Sequence, residues 1–544
     1  PPPDSGNVER LGLGSTPTVP GDALGGDGPG LSPPPPPVPD GAGERPVTKR
    51  CVGNPPRQTE DPLSPPCVAH FEGDNGGNTY PGVDDDLIRV LVYQSATCCD
   101  GVTSRGTEAR PVGQCFDLTE SESADEPFTV RSFRVLQRHF NARFQAYGRA
   151  VGFVVCFDND DGLAGECPSD EARRAEAREL YATYEPFAVM SYNDCTPLTF
   201  GIEMAKQGVL NFGVQGARPA AFFQEYAGLI WSYAPSMEQQ AAMYATYVCE
   251  QVVGQPVAAS GNGDNGQPRV LGLLVSGDPG KVTSTEFARE AQRRIEACGG
   301  EFDAEGTYPV GNNGYSTGND VAAAENIARF QQAEVTTIIW PKGYEVKHSQ
   351  AATRVDYFPE WILAGDLQHD GQTTTRVQDQ RSFDGHAFVV TNLPLYRDGQ
   401  ATPCEQAVTE AAPDWPAQDR AYLCGSRPFF YTDTFQLFVG IQVAGPRLTP
   451  ASLDQGMHAI PPGPSDDPSV PACFYAAGDY TCVKDAASGW WDADADDDGL
   501  GCWRMIQDGR RYVAGQWPRG NITSHIDTTA DPCHTFGGGL TTYS

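Results

Sequence analysis

The densest array of metal-type ligands in the sequence is Asp492-Ala-Asp494-Ala-Asp496-Asp-Asp498-Gly499. Carboxylates at alternate positions can wrap oxygens around a calcium ion, and the glycine permits the sharp turn that such a loop makes. Asp494, Asp496 and Asp498 fall on loop positions 1, 3 and 5, Gly499 on position 6, and Asp492 lies just upstream. Met505 stands where an EF-hand carries its bidentate glutamate, so the stretch reads as a short calcium loop near Cys502. A solvated acidic run is the alternative. A second candidate loop, Asp158-Asn-Asp160-Asp161-Gly162 with Glu166, lies between Cys156 and Cys167, whose disulfide would preorganise it.

Other patterns carry less chemistry. Gly314-Tyr-Ser316-Thr-Gly318 has the spacing of a nucleophile elbow, but residues 311–314 separate it from the preceding strand. It reads as a helix-capping loop. Gly277-Asp-Pro-Gly280-Lys281 lacks the first glycine and the final Ser or Thr of a phosphate loop, since Val275 and Val282 stand there. The eight histidines form no H-E-x-x-H pair, which leaves a catalytic zinc site without support. No catalytic residue is assigned, and the chain is expected not to be an enzyme.

The chain that must position these groups has 544 residues, enough for several cores. Lys and Arg total 38 against 71 Asp and Glu, a net charge of −33. That balance repels nucleic acid and anionic membrane surfaces and keeps a protein soluble outside the cell. No apolar run reaches the length of a membrane span. Sixteen cysteines, many in close pairs and none spaced C-x-x-C, point to disulfides made in an oxidising compartment. The near neighbours are Cys51/Cys67, Cys98–Cys99/Cys115, Cys156/Cys167, Cys404/Cys424 and Cys473/Cys482. A start at Pro1 reads as a mature extracellular chain, secreted or at the cell surface, whose signal has been removed.

Residues 1–80 are rich in Pro and Gly and read as an extended arm. Beyond them, apolar runs suited to buried parallel strands occur at residues 88–93, 151–157, 187–190, 209–212, 270–275, 336–340, 361–364 and 387–390. Helical patterns alternate with them. Phe287, Ala288, Ala291 and Ile295 make one apolar face, and Val321, Ala324, Ile327, Ala328 and Phe330 a second, after an Asn319 cap. Such alternation implies doubly wound parallel sheets. The Gly-, Asn- and Asp-rich residues 253–268 read as the passage between two blocks. The expected order is residues 81–253 as the first part of lobe one, 254–390 as lobe two and 391–460 as the return to lobe one. Residues 461–544 are expected to form an acidic, disulfide-bearing C-terminal appendage.

The order of elements resembles the type I periplasmic-binding-protein fold, in particular the branched-chain amino acid branch of ABC-importer receptors, as an actinobacterial extracellular member. The resemblance is carried by Phe187-Ala-Val-Met-Ser-Tyr-Asn-Asp-Cys-Thr-Pro-Leu198, Val209-Leu-Asn-Phe-Gly-Val214, Arg269-Val-Leu-Gly-Leu-Leu-Val-Ser-Gly-Asp-Pro-Gly280 and Leu448-Thr-Pro-Ala-Ser-Leu-Asp-Gln-Gly456. The tail from Cys502 to Pro518 adds to it. It implies an α/β fold of two doubly wound lobes with ligand held between them, at strand ends and helix starts. Transferred position by position, the pocket comprises Asn193, Asp194, Thr196, Gln215 and Gly216 from lobe one, and Asp278, Gly343, Tyr344 and Asp366 from lobe two. Small hydroxyl residues usual in amino-acid receptors are replaced here by Asn193-Asp194-Cys195 and Gln215-Gly216.

Two functions follow as expectations. One is an extracellular solute-binding protein that closes on a small organic ligand and serves an ABC importer. The other is a structural subunit of a filament or surface layer that reuses the fold, with residues 1–80 docking on other copies.

Overall fold

The computed structural model describes residues 42–46, 51–53, 56–94, 111–123, 125–159, 169–192, 198–214, 218–276, 282–309, 315–316, 320–341, 344–365, 370–397, 400–462, 467–495, 501–528 and 531–535. The chain divides into residues 1–35 and a compact unit, residues 36–544, which holds every described element.

Lobe one opens with β1 (Leu87–Gln94), β2 (Cys115–Asp117), α1 (Phe128–Arg143), β3 (Ala150–Phe157), α2 (Asp170–Tyr184), β4 (Ala188–Tyr192), α3 (Thr199–Ala205) and β5 (Leu210–Asn211). The sheet order is β2-β3-β1-β4-β5, parallel except for β2, which runs against β3. The apolar run of β1 makes it the central strand, because both of its faces are covered. Ile88, Val90 and Val92 join the core with α1, while Leu91 and Tyr93 join Ala177 of α2 and Phe200 and Met204 of α3.

Helix α4 (Met237–Gln251) begins with a capping box between Ser236 and Gln239. Lobe two continues with β6 (Leu271–Ser276), α5 (Val282–Ala297), β7 (Phe302–Tyr308), α6 (Asp320–Gln332), β8 (Thr337–Trp340), α7 (Lys347–Arg354), β9 (Glu360–Ala364) and β10 (Ala387–Thr391). After the short strand β11 (Tyr396–Arg397), helices α8 (Pro403–Ala411), α9 (Pro428–Ala444) and α10 (Pro450–His458) return to lobe one. Phe430, Phe435 and Phe438 of α9 share a core there with Phe133, Phe140 and Phe144. The chain ends with β12 (Asp485–Asp492), β13 (Cys502–Met505), β14 (Tyr512–Val513) and β15 (His534–Thr535). The lobe-two sheet has the order β7-β6-β8-β9-β10-β12-β13, with β14 beside β12. Its first five strands are parallel, and β12 and β13 extend it antiparallel.

Several expectations are corrected. The passage into lobe two precedes α4 rather than occupying residues 253–268. Met237, Ala241, Tyr244 and Val248 of α4 are buried with Leu271, Leu273 and Phe287 in the lobe-two core, and Cys249 is bonded to Cys298. Residues 253–268 form a loop on lobe two, where Glu360 accepts the backbone N–H groups of Ala258 and Ala259 at 2.8 and 2.9 Å. The C-terminal segment is no separate appendage, because β12 pairs directly with β10.

Nor is all of residues 1–80 an extended arm. Cys51 and Cys67 are bonded, Gln58 donates to the Arg143 carbonyl at 3.1 Å, and Gln442 donates to Gln58 at 2.5 Å. In α6 the buried face is Ala323, Asn326, Ile327 and Phe330, leaving Val321, Ala324 and Ala328 exposed. Cys156 pairs with Cys115, its direct cross-strand neighbour, rather than with Cys167. Cys404–Cys424 and Cys473–Cys482 form as the spacing implies, and Cys502–Cys533 closes the C-terminal segment.

Candidate functional site

Three chain passages join the lobes, and each meets the sheets at the carboxyl ends of parallel strands. Residues 229–231 add to the edge of β5, with Ile230 bridging Asn211 in parallel, and passage one (residues 232–236) leaves from there. Passage two (residues 392–397) leaves the end of β10. Passage three (residues 480–484) lies beside passage one and enters β12, whose Ala487 is opposite Thr391 at the end of β10. The carboxyl ends of the parallel strands of both lobes therefore face the hinge. In open α/β sheets this is where ligands bind.

Most of the sequence-derived pocket comes directly after those strand ends in the sequence. Asn193, Asp194 and Thr196 follow β4, Gln215 and Gly216 follow β5, Asp278 follows β6, and Asp366 follows β9; all lie outside the described residues, as does Gly343. The backbone of Tyr344 is described, in a short parallel pair with Tyr315 that continues through Glu345 and Ser316. Ser316 thus lies within a strand pair rather than at an elbow leading straight into a helix. In lobe two, Asp370 accepts the Thr391 hydroxyl at 2.6 Å and ties the loop after β9 to the end of β10. Gly365 makes room for it, since a Cβ there would lie 2.1 Å from the Asp370 carboxylate.

Around the hinge the structure gathers groups that the sequence reading missed. Tyr233 on passage one and Tyr396 on passage two are half-buried. Burial raises both phenols, and the nearby charge of Asp61 raises them further. Asp61 is itself buried and accepts the Leu63 N–H at 2.8 Å and the Tyr431 hydroxyl at 3.1 Å. Burial pushes its carboxyl up to about 6, against the opposing effect of those hydrogen bonds and of Arg57. Deeper in lobe one, burial pushes the Asp433 carboxyl well above the usual carboxylate range, although a hydrogen bond with Tyr192 at the end of β4 works the other way. Tyr192 packs against Phe430 with ring centroids 4.6 Å apart. This region offers phenols, buried carboxyl groups and aromatic faces, which suit hydrogen bonding and stacking. The Phe429-Phe430-Tyr431 run was the available signal, but it reads as an ordinary apolar helix face. Asp61 sat in what looked like an arm.

In each acidic loop one candidate ligand has protein partners. Asp158 forms a 2.6 Å ion pair with fully buried Arg173, which also bonds Glu176 and Tyr93, so Asp158 fastens α2 to the sheet. Asp160, Asp161, Gly162 and Glu166 lie outside the described residues. Asp492 accepts the N–H groups of Asp494 and Ala495 on one oxygen and Arg504 on the other, at 2.5 Å. Those bonds hold Asp492 in a turn and an ion pair; Asp496 and Asp498 lie outside the described residues. Among the described residues no group of three or more His, Cys, Asp or Glu could hold a metal ion, and no helix is long and apolar enough to cross a membrane.

No protein-family model matches the chain, and no curated protein matches it. Solved structures similar to it include an ABC-transporter solute-binding protein from R. palustris in complex with 4-hydroxybenzoate. It is 12% identical at a TM-score of 0.48, with 79% of this chain and 99% of that one covered. A substrate-binding protein from Aeropyrum pernix is 10% identical at 0.49, covering 79% and 97%. A branched-chain amino acid periplasmic ligand-binding protein from Burkholderia xenovorans LB400 is 12% identical at 0.49, covering 78% and 96%. The strand orders and three passages of the chain itself establish its fold: two doubly wound α/β lobes in the type I periplasmic-binding-protein arrangement.

Proposed function

We propose that this protein is an extracellular solute-binding protein that closes its lobes on a small organic ligand, delivers it to an ABC importer and does no chemistry on it. The observation that carries the reading is the convergence of strand carboxyl ends from both lobes on one three-stranded hinge, with Tyr233 and Tyr396 half-buried on two of its passages. The six described disulfides support an oxidising, extracellular setting. A thermal-shift screen of amino acids, aromatic carboxylates and sugars tests the proposal. A true solute present at 100 times its Kd adds about 2.7 kcal/mol of stability. A panel in which nothing raises the Tm counts against it.

Two smaller proposals go with this one. Asp492, Asp494, Asp496 and Asp498 are the candidates for calcium, to be tested by melting with calcium and with a chelator; identical curves refute it. Self-association through the N-terminal arm is tested by sedimentation of the full chain against one lacking residues 1–41.

A further inference from the structure

We infer that Arg511 is a positioning residue that fixes the angle between the lobes, acting as the rivet of a C-terminal brace across the hinge. Passages one and three are already joined. The Ser232 N–H donates to the Tyr480 carbonyl at 2.9 Å, the Cys482 N–H to Ser232 at 2.9 Å, and the Val483 N–H to Tyr233 at 3.1 Å. These two strands move as one ribbon. Passage two meets that ribbon at Asn392, where the Arg511 guanidinium binds both.

One Arg511 nitrogen, Nη1, donates to the Leu393 carbonyl at 2.7 Å, and Nη2 donates to the Asn392 carbonyl at 3.0 Å. Its Nε donates to the Asp485 carboxylate at 2.8 Å, at the point where passage three becomes β12. The other Asp485 oxygen accepts the Ala472 N–H at 3.0 Å, and Asn392 donates to the Asp485 carbonyl at 2.8 Å. The two charged side chains are 1% and 3% exposed, so water does not compete for these bonds. A planar guanidinium with five donors suits such a junction, because it can meet several carbonyls and a carboxylate at once.

The chain reaches this position by a strained route. Gln507, Asp508 and Gly509 are all left-handed, with φ of 55°, 56° and 77°. Two successive non-glycine residues in that region persist only where the surroundings fix them. Here Asp508 forms an ion pair with Arg397 on passage two. Further on, β15 pairs antiparallel with β11, also on passage two. The tail is held to lobe two by Cys502–Cys533 and by Arg504, which donates to the Asp531 carbonyl at 2.8 Å. A segment rooted in the lobe-two sheet therefore grips passage two along its length, from Asn392 to Arg397. Changing the lobe angle requires that grip to slip.

The test needs no solute, so it stands apart from the binding proposal. Fluorophores attached through azido residues at Glu179 on lobe one and Glu325 on lobe two report the interlobe distance in the full chain. The expected result is one narrow distance for the native protein and a second, longer distance in Arg511→Gln. Asp508→Asn, which keeps a residue tolerant of the left-handed turn, weakens the brace without touching the buried pair and is expected to broaden the distribution. A folded Arg511→Gln with the native distribution overturns the inference. Should that variant not fold, an unchanged distribution in Asp508→Asn overturns it.

Discussion

The base of lobe two and the hinge side of lobe one each bury a carboxyl group, and they treat it in opposite ways. Glu360 is fully buried; its two oxygens accept Arg269, Thr337 and the N–H groups of Ala258 and Ala259. Burial works to raise its pKa, but Arg269 and those hydrogen bonds outweigh burial and hold it below the usual range. Asp61 has a phenol, one backbone N–H and a more distant arginine, and it ends near 6. The number of charge-satisfying partners separates them more than depth does. Lobe two is built to keep its charge in place. The hinge side keeps a group that titrates near neutrality.

The comparison is broken most readily at Glu360. Replacing it with Gln leaves the Arg269 guanidinium buried without its counter-ion, and a loss of about 3–5 kcal/mol is expected by urea unfolding at pH 7. Because the folded pKa lies below the unfolded one, that advantage of the native residue is complete above about pH 5 and shrinks as pH falls through the folded value. A loss that does not shrink in acid would refute the ionised state.

Asp61→Asn should move the other way. A folded pKa raised to about 6 means that ionised Asp61 costs stability above that pH, by about 3 kcal/mol at most. The cost fades as pH falls through 6 and is gone below the unfolded pKa near 4. The Asn variant is therefore expected to melt higher than the native protein at pH 8 and no higher at pH 4. Equal melting at both values would remove the contrast between the two regions. The smallest effect belongs to Glu305→Gln. Its pair with Arg289 has hydrogen bonds of 2.7 and 2.6 Å but is more than a third exposed, so no more than about 1 kcal/mol is expected, and less in high salt.

The parallel strands were legible because burial on both faces demands unbroken apolar runs, as in β1 and β6. Helix α5 was legible for the same reason, since its face of Phe287, Ala288, Ala291 and Ile295 is buried. The face of α6 was misread because alanines fit either side, and the polar Asn326 turns inward to bond the Thr307 carbonyl at 2.9 Å. Strand β12 was missed because Asp-Ala-Ala-Ser-Gly-Trp-Trp-Asp has no β-branched residue, and Gly489 is required where Met505 crosses closely. Cys115 and Cys156 are 41 residues apart and meet only through sheet register. The hinge groups were illegible for a related reason. Tyr233, Tyr396, Asp61 and Arg511 come from four distant stretches, and only the three passages bring their neighbourhoods together.

Small-angle X-ray scattering on the full chain, with and without a solute that raises its Tm, addresses most directly whether the lobes close around the hinge. Closure predicts a smaller radius of gyration at saturation. A radius that stays constant while binding saturates would contradict it.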